Sequence, residues 1–207
     1  MLRTLSLGPL CANCYILTDD RGHGVVIDPG ASAWKIIPEV KGVKIDYIII
    51  THSHFDHFTA AAPLKKATGA LIAMSETDAE DIKDPNKSLL CWFDGMNAEI
   101  PEADVRLHDG DVLTAGDLRL EIIATPGHSK GGICVRCGKM LFTGDTLFRR
   151  SVGRTDLPGG NQDELINSVK TKLFTIGEDL AVYPGHDVPT SLFEEMRENP
   201  CFGGGAR

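Results

Sequence analysis

Thr51-His52-Ser53-His54-Phe55-Asp56-His57 sets three imidazoles and a carboxylate within seven residues. It follows Asp46-Tyr47-Ile48-Ile49-Ile50, an apolar, β-rich run of the kind that forms a buried strand. Imidazole nitrogen and carboxylate oxygen together suit a borderline first-row cation such as Zn²⁺. At the end of a strand His52 and His54 point the same way, because side chains two apart share a face. Asp56 and His57 fall where the chain must turn, so they are placed to serve a second metal close by. A lone His on an apolar face is ordinarily a core residue with its hydrogen bonds met. Four potential ligands this close together read instead as a metal site.

Working outward, the composition sets the class. The chain has 207 residues, 42% hydrophobic and 24% charged, which predicts one soluble globular domain over 1–207 with a core of its own. A net charge of −8 argues against a polyanion such as nucleic acid as a general partner. No apolar run approaches the roughly 18–20 residues of a membrane span. The start, Met1 to Thr18, is broken by Gly8-Pro9 and lacks the charged-then-apolar order of a signal peptide. A cytoplasmic enzyme acting on a small molecule is the expectation, with its six cysteines reduced. Two C-x-x-C pairs, Cys11/Cys14 and Cys134/Cys137, raise a four-thiolate zinc site as an option. Both pairs lie in or beside strand-like runs, where residues three apart face opposite sides, so small buried hydrophobes are the better account.

Short strands fill the first fifty residues: Leu2–Leu7, Asn13–Thr18 and Gly24–Ile27, separated by turn compositions. Ala33–Val40 reads as a short helix compromised by Pro38. Thr59 is placed to cap a helix running to Ala67, with Gly69 at its stop. Residues 71–104 carry a helix at Glu76–Ile82 and an apolar stretch, Ser88–Phe93, without clear periodicity. Strands return at Val105–Leu107, Val112–Leu113, Leu118–Ala124, Ile133–Arg136, Met140–Thr143 and Leu180–Tyr183. Asp109-Gly110 and Cys137-Gly138-Lys139 have hairpin-turn compositions. Asn161 with Glu164, and Ser191 with Glu194, open two late helices as capping boxes. Strands with single helices between them, in two halves, predict two sheets covered by helices.

Three further residues stand at strand ends beside glycine: His128 in Thr125-Pro126-Gly127-His128, Asp145 in Thr143-Gly144-Asp145-Thr146, and His186 in Tyr183-Pro184-Gly185-His186. Glycine lets the backbone bend sharply and carry the next side chain over the sheet edge. Asp28, in Val26-Ile27-Asp28-Pro29-Gly30, also ends a strand, where it reads either as a turn residue or as a carboxylate holding the far nitrogen of a liganding His. His23 and His108 lack this context and read as surface residues.

In these four segments the chain resembles the metallo-β-lactamase superfamily and, within it, the glyoxalase II-like (hydroxyacylglutathione hydrolase-like) hydrolases, over nearly its whole length. The resemblance rests on T-H-S-H-F-D-H at 51–57, T-P-G-H at 125–128, T-G-D-T-L-F at 143–148 and Y-P-G-H at 183–186, in that order. It implies an α/β fold, a four-layer α-β-β-α sandwich with a dinuclear site at one edge. It further implies that His52, His54 and His128 hold one divalent metal and Asp56, His57 and His186 the other, with Asp145 bridging. Asp28 matches a position that orients a liganding imidazole. Zinc is the first expectation, with iron or a mixed zinc/iron pair as alternatives.

The implied chemistry is hydrolysis of a thioester, S-acylglutathione such as S-lactoylglutathione. A water shared by two cations is acidified towards neutrality and attacks the carbonyl, Asp56 steadies it or takes its proton, and a thiolate leaves without much acid help. Two departures matter. Only 21 residues follow His186, where glyoxalase II has a substantial helical glutathione-binding segment. Its Gly-Lys-Phe-Tyr run is replaced by Gly153-Arg154-Thr155-Asp156, which keeps a cation at Arg154 as a substrate anchor, with an ion pair to Asp156 as the alternative role. The same Gly-Arg-Thr-Asp run matches persulfide dioxygenases, oxidoreductases of this fold that use a single iron at positions matching His52, His128 and Asp145. That is the rival expectation.

Overall fold

Strands buried on both faces need apolar side chains at every position, and the early runs supply them: Cys14, Tyr15, Ile16 and Leu17 are all buried, as are Val25, Val26 and Ile27. The computed structural model describes residues 1–92 and 98–203. Six strands, adjacent in chain order, form a first sheet: β1 (Leu2–Leu7), β2 (Ala12–Thr18), β3 (His23–Ile27), β4 (Lys44–Ile49), β5 (Leu71–Ser75) and β6 (Val105–Leu107). The pairs β1–β2 and β2–β3 are antiparallel, whereas β3 to β6 run parallel. The second sheet holds β7 (Val112–Ala115), β8 (Leu118–Ala124), β9 (Ile133–Cys137) and β10 (Met140–Gly144). A small hairpin follows, β11 (Leu147–Phe148) with β12 (Ser151–Val152). The chain then returns to the second sheet as β13 (Ala181–Pro184), parallel to β10, and β14 (Thr190–Ser191).

Period-2 alternation sorts these strands into layers. Tyr15, Val25, Ile27 and Ile49 from the first sheet meet Leu120, Ile122, Val135 and Phe142 from the second in one inter-sheet core. Their neighbours Ile16, Val26 and Ile48 point outward to Ile36 of α1 (Ala33–Glu39) and Leu64 of α2 (Ala61–Thr68). On the far side Cys134 and Leu141 point outward to Val169, Leu173 and Leu192. Those belong to the turn Val169–Leu173 that continues the later helix Gln162–Ser168, and to the last helix, Leu192–Glu198. Helices cover both sheets, so the order is α-β-β-α, the layering that the resemblance implies. Cys134 faces the helices while Cys137 faces the inter-sheet core, which separates the thiols of that C-x-x-C pair. All six cysteines are free.

Two local expectations need correction, and one strand was not foreseen. Thr59 does not cap α2: the N-cap is Ala60, and the Thr59 hydroxyl donates to the Gly30 carbonyl instead. Asp109-Gly110 is not a hairpin turn, since β6 and β7 belong to different sheets; it is the corner where the chain crosses from one sheet to the other. Leu71–Ser75 is a full strand within the parallel set, and its alanine and methionine gave it no β-like composition to be read from. In the stretch Ser88–Phe93, Leu90–Trp92 forms one 3₁₀ turn, and Phe93 lies outside the described residues.

Candidate metal centre

All four segments that bear the expected ligands leave the C-terminal ends of strands. Thr51–His57 follows β4, Thr125–His128 follows β8, Asp145 follows β10, and Gly185-His186 follows β13. Because β10 and β13 run parallel while β9 is antiparallel to both β8 and β10, three of these ends share one edge of the second sheet. The Ile133 N–H donates to the Thr51 carbonyl at 3.0 Å and fastens the first sheet's loop to that edge. The seven residues expected from the sequence as ligands meet there.

The donors fall into overlapping sets, each within 4.8 Å: His52, His54 and His128; Asp56, His57 and His186; and His52, His57 and Asp145. Asp145 lies between the others. Its Oδ2 is 3.5 Å from His128 Nε2 and 3.6 Å from His186 Nε2, and its Oδ1 is 3.5 Å from His57 Nε2. Among the described residues the buried side-chain atoms without a hydrogen-bond partner are His52 Nε2, His54 Nε2, His57 Nε2 and Asp145 Oδ1. Buried polar atoms are costly when unpaired, and all four belong to this one cluster. Nitrogen and oxygen donors in this arrangement fit divalent cations of the zinc or iron type.

A second layer of hydrogen bonds turns four of the five imidazoles, while His54 Nδ1 lies 2.9 Å from His128 Nε2 within the cluster. Asp28 is buried and accepts from the Thr51 amide (2.8 Å), the Thr51 hydroxyl (2.7 Å) and His57 Nδ1 (3.0 Å). The Thr51 oxygen is in turn 3.1 Å from His52 Nδ1. One carboxylate therefore places the protons of two histidines on Nδ1, leaving both Nε2 lone pairs facing inward. His128 Nδ1 donates to the Arg154 carbonyl at 2.7 Å and His186 Nδ1 to the Leu10 carbonyl at 3.1 Å. Close approach explains two of the glycines. A Cβ at Gly185 would fall 2.2 Å from Asp145 Oδ1, and one at Gly144, where φ is +47°, would fall 2.4 Å from Thr51 Oγ1.

Electrostatics agree with a cluster built around positive charge. Burial pushes His52 far below the usual imidazole range, and burial with His128 and His57 takes His54 down to about 3. Burial opposes charge on His57 too, but Asp56, Asp145 and Asp28 surround it and raise its pKa to about 10. Burial disfavours an Asp56 carboxylate, yet His57 and His186 hold it well below the usual range. Three carboxylates thus demand a cation, which a proton on His57 provides when no metal does.

Sequence reasoning missed Asp78. It sits in α3 (Glu76–Asp81), is buried, and accepts from the Ser53 amide (2.9 Å), the Ser129 hydroxyl (2.8 Å) and the Gly131 amide (2.8 Å). Ser53 lies between His52 and His54 and Ser129 follows His128, so one carboxylate ties the two loops of the first donor set together. In sequence it reads only as an acid in a helix's first turn. Arg154 lines the cavity at the centre, but its guanidinium forms a bidentate pair with Asp156 at 2.8 and 2.7 Å. His23 bonds Asp46, and the exposed His108 bonds Glu76; neither joins the centre.

The cluster opens into a cavity of about 490 Å³, within the size range of small-molecule sites. His54, Asp56, His128, Asp145 and His186 line it.

The model of the metallo-beta-lactamase superfamily matches residues 7–186. The hydroxyacylglutathione hydrolase GloC of Haemophilus influenzae is 31% identical over 194 residues, covering 91% of each chain. The crystal structure of the BLEG-1 B3 metallo-beta-lactamase superposes with a TM-score of 0.92 at 31% identity, over 99% of this chain and 100% of that one. ETHE1 from Myxococcus xanthus superposes with a TM-score of 0.81 at 31% identity, over 98% of this chain and 85% of that one. The chain belongs to the metallo-beta-lactamase superfamily.

Proposed function

We propose that this metallo-beta-lactamase superfamily member is a dinuclear metal hydrolase that cleaves thioesters, S-acylglutathione such as S-lactoylglutathione in the first instance. The observation that carries the reading is Asp145, whose carboxylate stands between the two histidine sets, 3.5 Å from His128 of one and 3.5 and 3.6 Å from His57 and His186 of the other, with Oδ1 left unpartnered. A carboxylate so placed suits a bridge between two metals, held on one side by His52, His54 and His128 and on the other by Asp56, His57 and His186. Two divalent cations there, zinc first and iron as the alternative, would supply a Lewis acid and an acidified water at neutral pH.

The chain's own residues supply the rest. Asp28 and Thr51 hold the Nδ1 protons of His57 and His52 in place, so that each ring keeps its orientation when its Nε2 turns to a metal, which lowers the reorganisation needed during reaction. Asp56, beside His186 at 3.2 Å, is placed to hold the attacking water or take its proton. The cavity walls orient the carbonyl over the centre. The thiol departs with a pKa near 8.5, about what neutral pH tolerates without a strong acid, consistent with the absence of a Lys or Tyr from the cavity lining among the described residues. Arg154 reaches a substrate carboxylate by exchanging it for Asp156. That pair is exposed, and exposed ion pairs contribute little, so the exchange costs little.

The likeness to ETHE1 favours a second reading, a persulfide dioxygenase with a single iron on His52, His128 and Asp145. One experiment separates them: release of free thiol from S-lactoylglutathione, and oxygen uptake on glutathione persulfide, measured on the same preparation. Thiol release without oxygen uptake is expected. Oxygen uptake with no thiol release would overturn the hydrolase.

A further inference from the structure

Beyond the metal-centre residues, the apolar part of the cavity wall includes Leu10, Leu89, Trp92, Phe148, Val152 and Leu157, with Ser151, Arg154 and Asp187 as its polar members. Trp92 and Leu10 remain 57% and 46% exposed, so two large apolar side chains stand open to water beside the centre, a pattern that marks a binding surface. Leu89 is held there at a cost. It adopts a left-handed φ of 61°, strained for a bulky side chain. The Phe55 amide, donating to the Ser88 carbonyl at 2.9 Å, ties this stretch to the segment bearing Asp56 and His57.

Charge is scarce on the same wall. Among the described lining residues Arg154 is the one Lys or Arg, and Asp156 already pairs with it; Asp187 adds a further negative charge. Glutathione brings two carboxylates. Arg154 can take one of them on leaving Asp156, but no second Lys or Arg among the described lining residues meets the other, whereas the wall removes water from an apolar group effectively.

Resting on the thioester reading above, we infer that the cavity selects its substrate by an apolar acyl group, with the polar thiol carrier left towards solvent. The specificity-determining residues are Leu89, Trp92, Phe148 and Val152. In the reaction, water adds to the carbonyl carbon and the C–S bond breaks. The products are the carboxylate, the thiol and one proton, and no further reactant is needed. An unbranched aliphatic acyl group should therefore be a better substrate than the hydroxylated lactoyl group on the same thiol.

The test holds the thiol constant and varies the acyl group: S-acetyl-, S-lactoyl-, S-butanoyl- and S-hexanoylglutathione, on metal-loaded protein with its metal content measured. The value of kcat/KM is expected to rise about fourfold per methylene while the cavity still accepts it, with butanoyl above lactoyl. Phe148→Ala should flatten the series. Trp92→Ala should do the same and, being at an exposed position, is the variant that leaves folding intact. A second readout needs no turnover. In a Trp34→Phe background Trp92 is the single tryptophan, and S-hexylglutathione, a thioether that cannot be hydrolysed, should shift its emission to the blue where S-methylglutathione does not. A flat or falling series with lactoyl fastest, together with an unmoved Trp92, would overturn the inference and leave the hydrolase standing. Hydrolysis of none of the four would remove the thioester reading itself, and the acyl assignment with it.

Discussion

Asp28→Asn is the sharpest perturbation of the centre, because it changes proton positions while nearly preserving shape. Asp28 has a φ of 51°, a region that Asn tolerates better than most residues, so backbone strain is not added. What changes is the acceptor inventory. The carboxylate accepts three hydrogen bonds: from the Thr51 amide, the Thr51 hydroxyl and His57 Nδ1. An amide offers one oxygen, and its NH₂ must face at least one of those donors. If the oxygen stays on the Thr51 amide, the NH₂ points at His57 Nδ1. That nitrogen must then accept, and the imidazole proton moves to Nε2, the atom turned towards Asp56 and Asp145. A protonated Nε2 cannot bind a metal. Losing such an orienting partner typically costs 10–100-fold in metal affinity, or about 1.4–2.7 kcal/mol. The assay is competition against a chelator of known affinity, with imidazole ¹⁵N chemical shifts reporting the His57 tautomer. The variant should lose the metal at Asp56, His57 and His186 first. Wild-type affinity for both metals with His57 still protonated on Nδ1 would refute the reasoning.

Asp145→Asn should weaken both metals and lower kcat far more than it changes KM, since a shared anionic charge is removed and substrate binding rests on other groups; two tightly held metals with normal kcat would count against bridging. Asp78→Asn leaves its NH₂ facing a backbone N–H, that of Ser53 at one oxygen position or that of Gly131 at the other, which should cost about 1–3 kcal/mol of stability and about tenfold in affinity for the metal on His52, His54 and His128. Calorimetry with metal titration checks it, and a lowered Tm with unchanged metal affinity would confine Asp78 to folding. For the metal-free protein the pH profile follows from two opposite shifts. His57 is raised to about 10, so its stabilising proton is fully bound below the unfolded value near 6.5 and lost as pH rises towards 10. His52 and His54 are lowered, so the unfolded chain takes up their protons first and stability falls as pH drops below about 6.5. Thermal melts should peak near pH 6.5 without metal, and a monotonic profile would contradict this assignment.

The centre was legible because its residues announce themselves locally: three imidazoles after one strand, then a His or Asp beside glycine at three later strand ends. Asp28 was legible for the same reason. Asp78 was not, because its importance lies in Ser53, Ser129 and Gly131, which are distant in sequence and meet it only in the fold. Strand β5 failed on composition, since Ala73 and Met74 are buried by parallel neighbours on both sides and need no intrinsic β preference. Thr59 and Asp109-Gly110 carried correct local chemistry for a cap and a turn. Tertiary context gave the hydroxyl a different acceptor and the turn a different pair of sheets. Arg154 shows the same limit for function: the sequence offered a cation or an ion pair, and the guanidinium is paired with Asp156 while the backbone carbonyl serves His128.

The most direct measurement is the metal content of protein purified without added ions, read alongside hydrolysis of S-lactoylglutathione before and after chelation. Close to two divalent ions per chain are expected, with hydrolysis lost on their removal and restored when they are returned. A single iron per chain, with oxygen consumed on glutathione persulfide and no thioester cleaved, would contradict the dinuclear hydrolase.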